Sequence, residues 1–394
     1  MKFKISINDI YKMVAGLLII CYWGFIDLVV FMHIAQILFI AICILKIILN
    51  HGALRKTGYL QWAVCWVTIC FLSIIWSYNT DYSIAYFISV FQVALVGVLL
   101  VNSIDTKETV DYLEKCIVVA GMILAIRLLV TTPMSLWGSG RLGVDLGMHV
   151  NTISMNIMIS ELVAIKSFFA TDKTTKRLLQ IVSLVVAFFL AIIVFLTASK
   201  KTIVIMILGP LLMLLFTGQK IGKKVKYVAG ILLALLIGSQ VIQYLPVNFE
   251  FAADRLMNAF NGLISGSTDA STSEREYLMR TAAETFSNHM MLGVGLNCSR
   301  CFNNLNLYAH CNYLEILANL GVTGFIIYYY LYAKMGVIVL KAQNNKVVLK
   351  HCLMILICLG VLELTQVTYY YESFQLYIAI LWSNIYFLSL NNEE

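Results

Sequence analysis

The chain has 394 residues, 60% of them hydrophobic and 12% charged, and a mean hydropathy of +0.85. That balance excludes a soluble globular domain, and three prolines exclude a Pro-rich linker or stalk. A net charge of +7 raises the question of nucleic acid, which the distribution of that charge along the chain answers below in favour of a membrane.

Apolar runs long enough to cross a bilayer are expected at 9–26, 28–49, 58–77, 82–102, 112–131, 149–170, 179–197, 202–218, 226–245, 311–333, 351–368 and 374–391. Lys2, Lys4 and Lys12 flank the first run, and no small-residue cleavage site follows it, so it reads as a retained helix and not a signal peptide. From Lys12 to Lys46 is roughly 51 Å of helix, too long for one crossing of a core about 30 Å thick, so a hairpin broken between Gly24 and Asp27 is expected. The fold class expected is an all-α integral membrane protein of about 12 transmembrane helices, one polytopic domain over 1–394 with both termini cytoplasmic.

Alternate connections are unequal in charge. Those on the side of the N-terminus hold twenty of the twenty-eight basic residues, eighteen of them lysine, and that side is assigned to the cytoplasm. The other eight are Arg127, Arg141, Lys200, Lys201, Arg255, Arg275, Arg280 and Arg300. Topology is served by lysine; a planar five-donor fork suits phosphate or carboxylate, so this arginine-rich outer set reads either as chance or as an anion grip. Arg127, Glu161 and Glu363 fall within expected spans, where a charge needs a buried partner or a cavity.

The one long connection, 246–310, is placed between the ninth and tenth spans on the outer side, and loops of that length are usually functional. An amphipathic helix is expected at 251–260. A second is expected to begin at a capping box of Ser273 and Glu276, which puts Arg275 in a first turn where the dipole favours an anion. Gly293-Val294-Gly295 follows no strand and reads as a tight turn, not a nucleotide site. Cys298, Cys301, His310 and Cys311 leave zinc, a disulfide and free thiols open. In the tenth span Asn312, Glu315, Asn319 and Thr323 share one face, with His310 at its mouth; Gly321 and Gly324 suit close helix packing. Tyr369, Tyr370 and Tyr371 form either an interfacial belt or a sugar-stacking surface, the belt being preferred.

Several of these segments, taken in order, resemble the signature region of the O-antigen ligase and polysaccharide polymerase superfamily. SEREYLMRTAAETFSNHMMLGVGLNCSRCF (273–302) and AHCNYLEILANLGVTGF (309–325) supply the arginine before a helix, the Gly-x-Gly turn, the histidine, the Tyr-Leu pair and the Gly-x-x-Gly. LTASKKT (196–202) is similar to the family's Thr-x-Ser-Arg, and GRLGVDLGMHVNTISMNI (140–157) to its arginine segment running into an Asn-bearing helix. Cys311 stands where the family has asparagine, with Asn312 one place on, and Lys200 replaces the arginine, offering charge without a bidentate fork.

The resemblance implies a metal-independent, inverting glycosyltransferase of the bacterial plasma membrane, without cofactor, that moves glycan from undecaprenyl diphosphate to a sugar hydroxyl outside the membrane. His310 would serve as base and Arg275 as the second catalytic residue on the diphosphate, with Lys200, Arg141, Arg255 and Arg280 binding substrate. The partners implied are the lipid-linked oligosaccharide, the bilayer, and flippase and chain-length regulator proteins. The opposing readings are an interfacial histidine, an Arg275 paired to Glu274 or Glu276, snorkelling lysines at 200 and 201, and loop charges at 141, 255 and 280. For the whole chain, a polymerase of capsule, exopolysaccharide or O-antigen is favoured; a ligase onto lipid A core and a lipid-linked-sugar transporter are the alternatives.

Overall fold

The computed structural model describes residues 6–49, 57–137, 140–147, 149–170, 177–217, 270–342 and 346–390, with isolated positions 54, 222, 224 and 254. Among the described residues there is no strand. The helices are α1 (Ile7–Gly24), α2 (Val29–Leu49), α3 (Gly58–Leu72), α4 (Thr80–Ser103), α5 (Lys107–Thr131), α6 (Val150–Ala170), α7 (Arg177–Leu196), α8 (Lys200–Leu215), α9 (Ala270–Asn288), α10 (Asn312–Lys341), α11 (Lys346–Glu363) and α12 (Glu372–Leu390). Six are long and apolar enough to cross a membrane: α2, α4, α6 up to Phe169, α7, α10 and α12. Each expected span coincides with a described helix except 226–245. That span lies outside the described residues, as does the amphipathic helix expected at 251–260 apart from Asp254.

α6 and α12 are enclosed by their neighbours, whereas α2 and α7 leave most of their apolar surface uncovered, as a lipid-facing helix must. The expected hairpin is present: α1 ends at Gly24 and α2 starts at Val29. The turn between them takes up a charge from the membrane core. Arg127 of α5 donates to both oxygens of Asp27 at 2.7 Å and to the Gly24 carbonyl at 2.7 Å, so its guanidinium is paired at the helix ends and not exposed to lipid. Glu363 is likewise accounted for: it accepts hydroxyl bonds from Tyr328 (3.3 Å), Tyr329 (2.9 Å), Tyr332 (2.9 Å) and Thr368 (2.5 Å). Glu161 is buried in α6, and one of its carboxyl oxygens has no partner among the described residues.

Two expectations are corrected. α9 is already helical at Ala270, so Ser273 lies inside the helix and does not cap it, and Arg275 is no nearer the helix start than the second turn, past the strongest part of the dipole. The helix propagates back through Ala270, the residue type with the highest helix propensity.

The second correction concerns α10, which is not one continuous helix. Gly321 has φ 64° and ψ −167°, and the chain breaks there. The break frees the carbonyls of 318 and 319 and the N–H groups of 322 and 323, which a membrane core cannot leave unpaired. Segment 290–295 satisfies all four. Val294 and Gly295 N–H donate to the Ala318 and Asn319 carbonyls (3.1 and 2.9 Å), and Val322 and Thr323 N–H donate to the Met290 and Met291 carbonyls (2.8 and 3.3 Å). Backbone meets backbone so closely that a Cβ on Gly321 would lie 2.3 Å from Met291 and one on Gly293 2.3 Å from Asn319. Both have positive φ, so glycine is required twice over at each. The glycine pair in α10 therefore marks a break, and the Gly-x-Gly turn is what fills it.

Candidate active site

Four segments meet beyond the broken helix. The first is the turn from α7 into α8, where Ala198 takes a left-handed φ of 49° and Ser199 caps a helix whose first residues are Lys200 and Lys201. Backbone N–H groups at such a start already favour an anion, and two lysines strengthen it. The second is the 140–151 segment, sewn to that turn. Leu142 N–H donates to the Leu196 carbonyl (3.1 Å), Arg141 donates to the Thr197 carbonyl (3.3 Å) and to Asn151 Oδ1 (2.7 Å), and Ser199 Oγ donates to the same Asn151 oxygen (3.2 Å). The two upstream stretches that suggested the family are thus one structure.

The third segment is α9. Arg275, Leu278, Ala282 and Thr285 lie on its inward face, the last three buried and Arg275 half-buried. Ala282 packs with Ala309, Ala318 and Leu314 in a small cluster that seats α9 against the start of α10. The fourth is the 308–311 turn leading into α10.

His310 occupies that turn with φ 56°, a left-handed backbone that is uncommon outside glycine. Its ring lies against Tyr308, centroids 4.3 Å apart. Burial, then the charges of Arg275, Lys201 and His149, hold its pKa down at about 4, so the imidazole is neutral at pH 7. Lys201, ahead of the apolar run of α8, donates to the Thr365 carbonyl at 3.0 Å and to the Gln366 side chain. Burial and then Arg275 and Arg141 lower its pKa to about 7. Tyr308 is pushed up to about 12, first by burial and then by Tyr371. Among the described residues none donates to or accepts from the His310 ring nitrogens, and the ring is half-buried. The result is a neutral imidazole facing several cations, an arrangement suited to accepting a proton beside a developing polyanion.

Of the residues expected from sequence, His310, Arg275 and Arg141 act on this one locality. Lys200 is half-buried in the same turn, but it is Lys201 whose charge is felt at His310. Arg280 points elsewhere: its side chain is 72% exposed and lies 3.7 Å from Glu276, a solvated i,i+4 pair. Arg255 lies outside the described residues. Sequence reasoning passed over His149 and Tyr308, although their places two before Asn151 and two before His310 were available signals.

Of the tyrosine run, Tyr369 is interior and not part of a belt: it is 2% exposed with its ring edge-on to Trp66, while Tyr370 and Tyr371 are half-buried, Tyr370 edge-on to Tyr86 and Tyr371 tilted beside Tyr370 at 4.8 Å. The polar stripe of α10 also faces protein: Asn312, Glu315 and Asn319 are fully buried and bond to loop backbone. Cys298, Cys301 and Cys311 are free, and Cys298 hydrogen-bonds with Asn79, which precedes α4, and with Ser83 in its first turn. No group of three or more His, Cys, Asp or Glu able to hold a metal occurs among the described residues.

A helical membrane protein with a cation-lined histidine at the mouth of a broken helix is the class that fold and site define. Residues 185–329 match the family model described as O-antigen ligase. The matched stretch carries the 196–202 turn, Arg275, the Gly-x-Gly turn and His310, which are segments on which the resemblance to the O-antigen ligase and polysaccharide polymerase superfamily rests. No curated protein matches the chain.

Proposed function

We propose that the protein is a cell-surface polysaccharide polymerase of the bacterial plasma membrane. It transfers glycan from undecaprenyl diphosphate to a sugar hydroxyl of a repeat unit on the outer side. The reading adopts the twelve-span topology with cytoplasmic termini and treats 246–310 as the outer catalytic loop. The observation that carries it is the neutral His310 imidazole set beside Arg275 and Lys201 within the segment 185–329 that matches the O-antigen ligase family model, with Arg141 acting on Lys201 from ahead of that segment.

The acceptor hydroxyl attacks the anomeric carbon while the bond from that carbon to the diphosphate oxygen breaks. His310 takes the hydroxyl proton as the new glycosidic bond forms, and displacement from the opposite face inverts the centre. The leaving diphosphate gains negative charge, which Arg275 and Lys201 balance in a half-buried site, with Lys200 and Arg141 around the helix start. Tyr308, beside His310, and the half-buried Tyr370 and Tyr371 are the aromatic residues proposed to contact sugar.

A transporter would also be compatible with a broken helix. Here the broken ends of α10 are filled by segment 290–295, so they present no open backbone to a substrate. The test gives purified protein undecaprenyl-diphosphate-linked repeat unit and separates the products. A ladder of longer lipid-linked chains supports a polymerase; transfer of polymer only to a lipid A core acceptor would make it a ligase. Movement of the substrate across a vesicle bilayer without new glycosidic bonds would make it a transporter.

A further inference from the structure

The left-handed backbone of His310 is costly for a residue with a Cβ and persists only where the surroundings over-determine it. One residue supplies contacts on both sides of it. The Glu315 side chain accepts from the Ala309 N–H at 2.8 Å, immediately before His310. The backbone N–H of the same Glu315 donates to the Cys311 carbonyl at 2.9 Å, immediately after it. His310 is therefore bracketed in a closed loop of which Glu315 is the clasp.

The clasp is itself fixed. The other Glu315 oxygen accepts from Asn319 Nδ2 (2.8 Å) and from Ser299 Oγ (3.3 Å), while Asn319 Oδ1 accepts the Ser299 N–H at 2.7 Å. Glu315 and Asn319 are both buried, 0% and 1% exposed. Loss of the acceptor at 315 would leave three donors short, Asn319 Nδ2, Ser299 Oγ and Ala309 N–H, and of these the Ala309 N–H is the one that adjoins His310. Burying a carboxyl is expensive compared with an apolar side chain at the same place, and a helix face that only needed packing would not carry one.

We propose that Glu315 is a positioning residue for His310, holding the left-handed turn so that the imidazole points at the acceptor hydroxyl beside Arg275 and Lys201. The proposal rests on the reading of His310 as the base. Glu315 acts through geometry: it touches no substrate, and His310 takes its charges from Arg275, Lys201 and His149, not from Glu315.

The experiment compares full-length wild type, Glu315→Gln, Glu315→Leu and His310→Ala in the ladder assay, with thermal melts in detergent to confirm folding. Glu315→Leu keeps the volume and loses the acceptor. Its kcat is expected to fall about 100-fold, the size of loss that follows from misplacing a catalytic group by about 1 Å. The KM for the lipid-linked donor stays within about threefold, because donor binding belongs to the cations. Glu315→Gln retains an oxygen for Ala309 N–H and is expected to recover kcat to within about fivefold of wild type.

Should Glu315→Leu not be recovered folded, Glu315→Asp decides. It keeps the charge but retracts the oxygen, and a tenfold or greater fall in kcat at unchanged KM supports the clasp. Wild-type kcat in Glu315→Leu or Glu315→Asp, with His310→Ala inactive, overturns the positioning role and leaves the base intact. Glu315→Gln as deficient as Glu315→Leu also overturns it, since charge and not placement would then matter. Full activity of His310→Ala instead removes the base reading on which the proposal stands.

Discussion

The depressed pKa of His310 gives a signed prediction for Arg275→Gln. Burial is the first cause of the shift from 6.5 to about 4, and the Arg275 charge is the second, ahead of Lys201 and His149. A unit charge at a separation on the order of 10 Å contributes about 1.7 kcal/mol at an effective dielectric of about 20. That corresponds to roughly one pKa unit at 1.36 kcal/mol each. Removing the cation makes protonation easier, so the His310 pKa rises, while burial, the larger cause, keeps it below the ordinary value.

The assay that does not depend on activity is carbethoxylation by diethyl pyrocarbonate, which reacts with the neutral imidazole, followed at the His310 peptide by mass spectrometry. The half-maximal rate is expected near pH 4 in wild type and up to one unit higher in Arg275→Gln. Because the reactive form is the neutral one, the rate falls as pH drops through the pKa. A bound diphosphate opposes the same cations, so the acid limb of kcat should lie above that of kcat/KM. A wild-type midpoint near 6.5, or a midpoint that falls in Arg275→Gln, would refute the electrostatic account.

Other outcomes follow from the placement of individual residues. Lys201→Met is expected to lower kcat/KM for the donor about tenfold or more, and Lys200→Met by less, since Lys201 is the lysine felt at His310; steady-state kinetics on both variants checks the order. Gly321→Ala should destabilise by about 2 to 4 kcal/mol, because a Cβ would meet Met291 backbone at 2.3 Å on a residue with φ 64°. A lowered melting temperature together with faster hydrogen exchange at 290–295 is the readout. Arg280→Ala should leave both activity and stability within about 0.5 kcal/mol of wild type, as expected of a solvated ion pair.

The helices were legible because lipid imposes length and hydropathy that a sequence displays directly. The hairpin of α1 and α2 followed from length alone, whereas the bonds that join 140–151 to the 196–199 turn link residues about fifty positions apart and were not legible. The break at Gly321 was not legible, since the apolar run continues through it and the groups that repair it come from about thirty residues earlier. Glu315 was visible as one member of a polar stripe, but its partner is a loop N–H that only tertiary structure brings near. The burial of Tyr369 was not legible because composition cannot say which way a loop between α11 and α12 folds. For Arg280 the signal was present: five residues from Arg275 is about 140° around a helix, which separates the two faces.

The most direct measurement is a single turnover on lipid-linked repeat unit with wild type and His310→Ala, both bound to donor at saturation. The account predicts that the variant still binds donor, because Arg275 and Lys201 remain, yet forms no new glycosidic bond at a rate within about 100-fold of wild type. Bond formation by His310→Ala at the wild-type rate would contradict it.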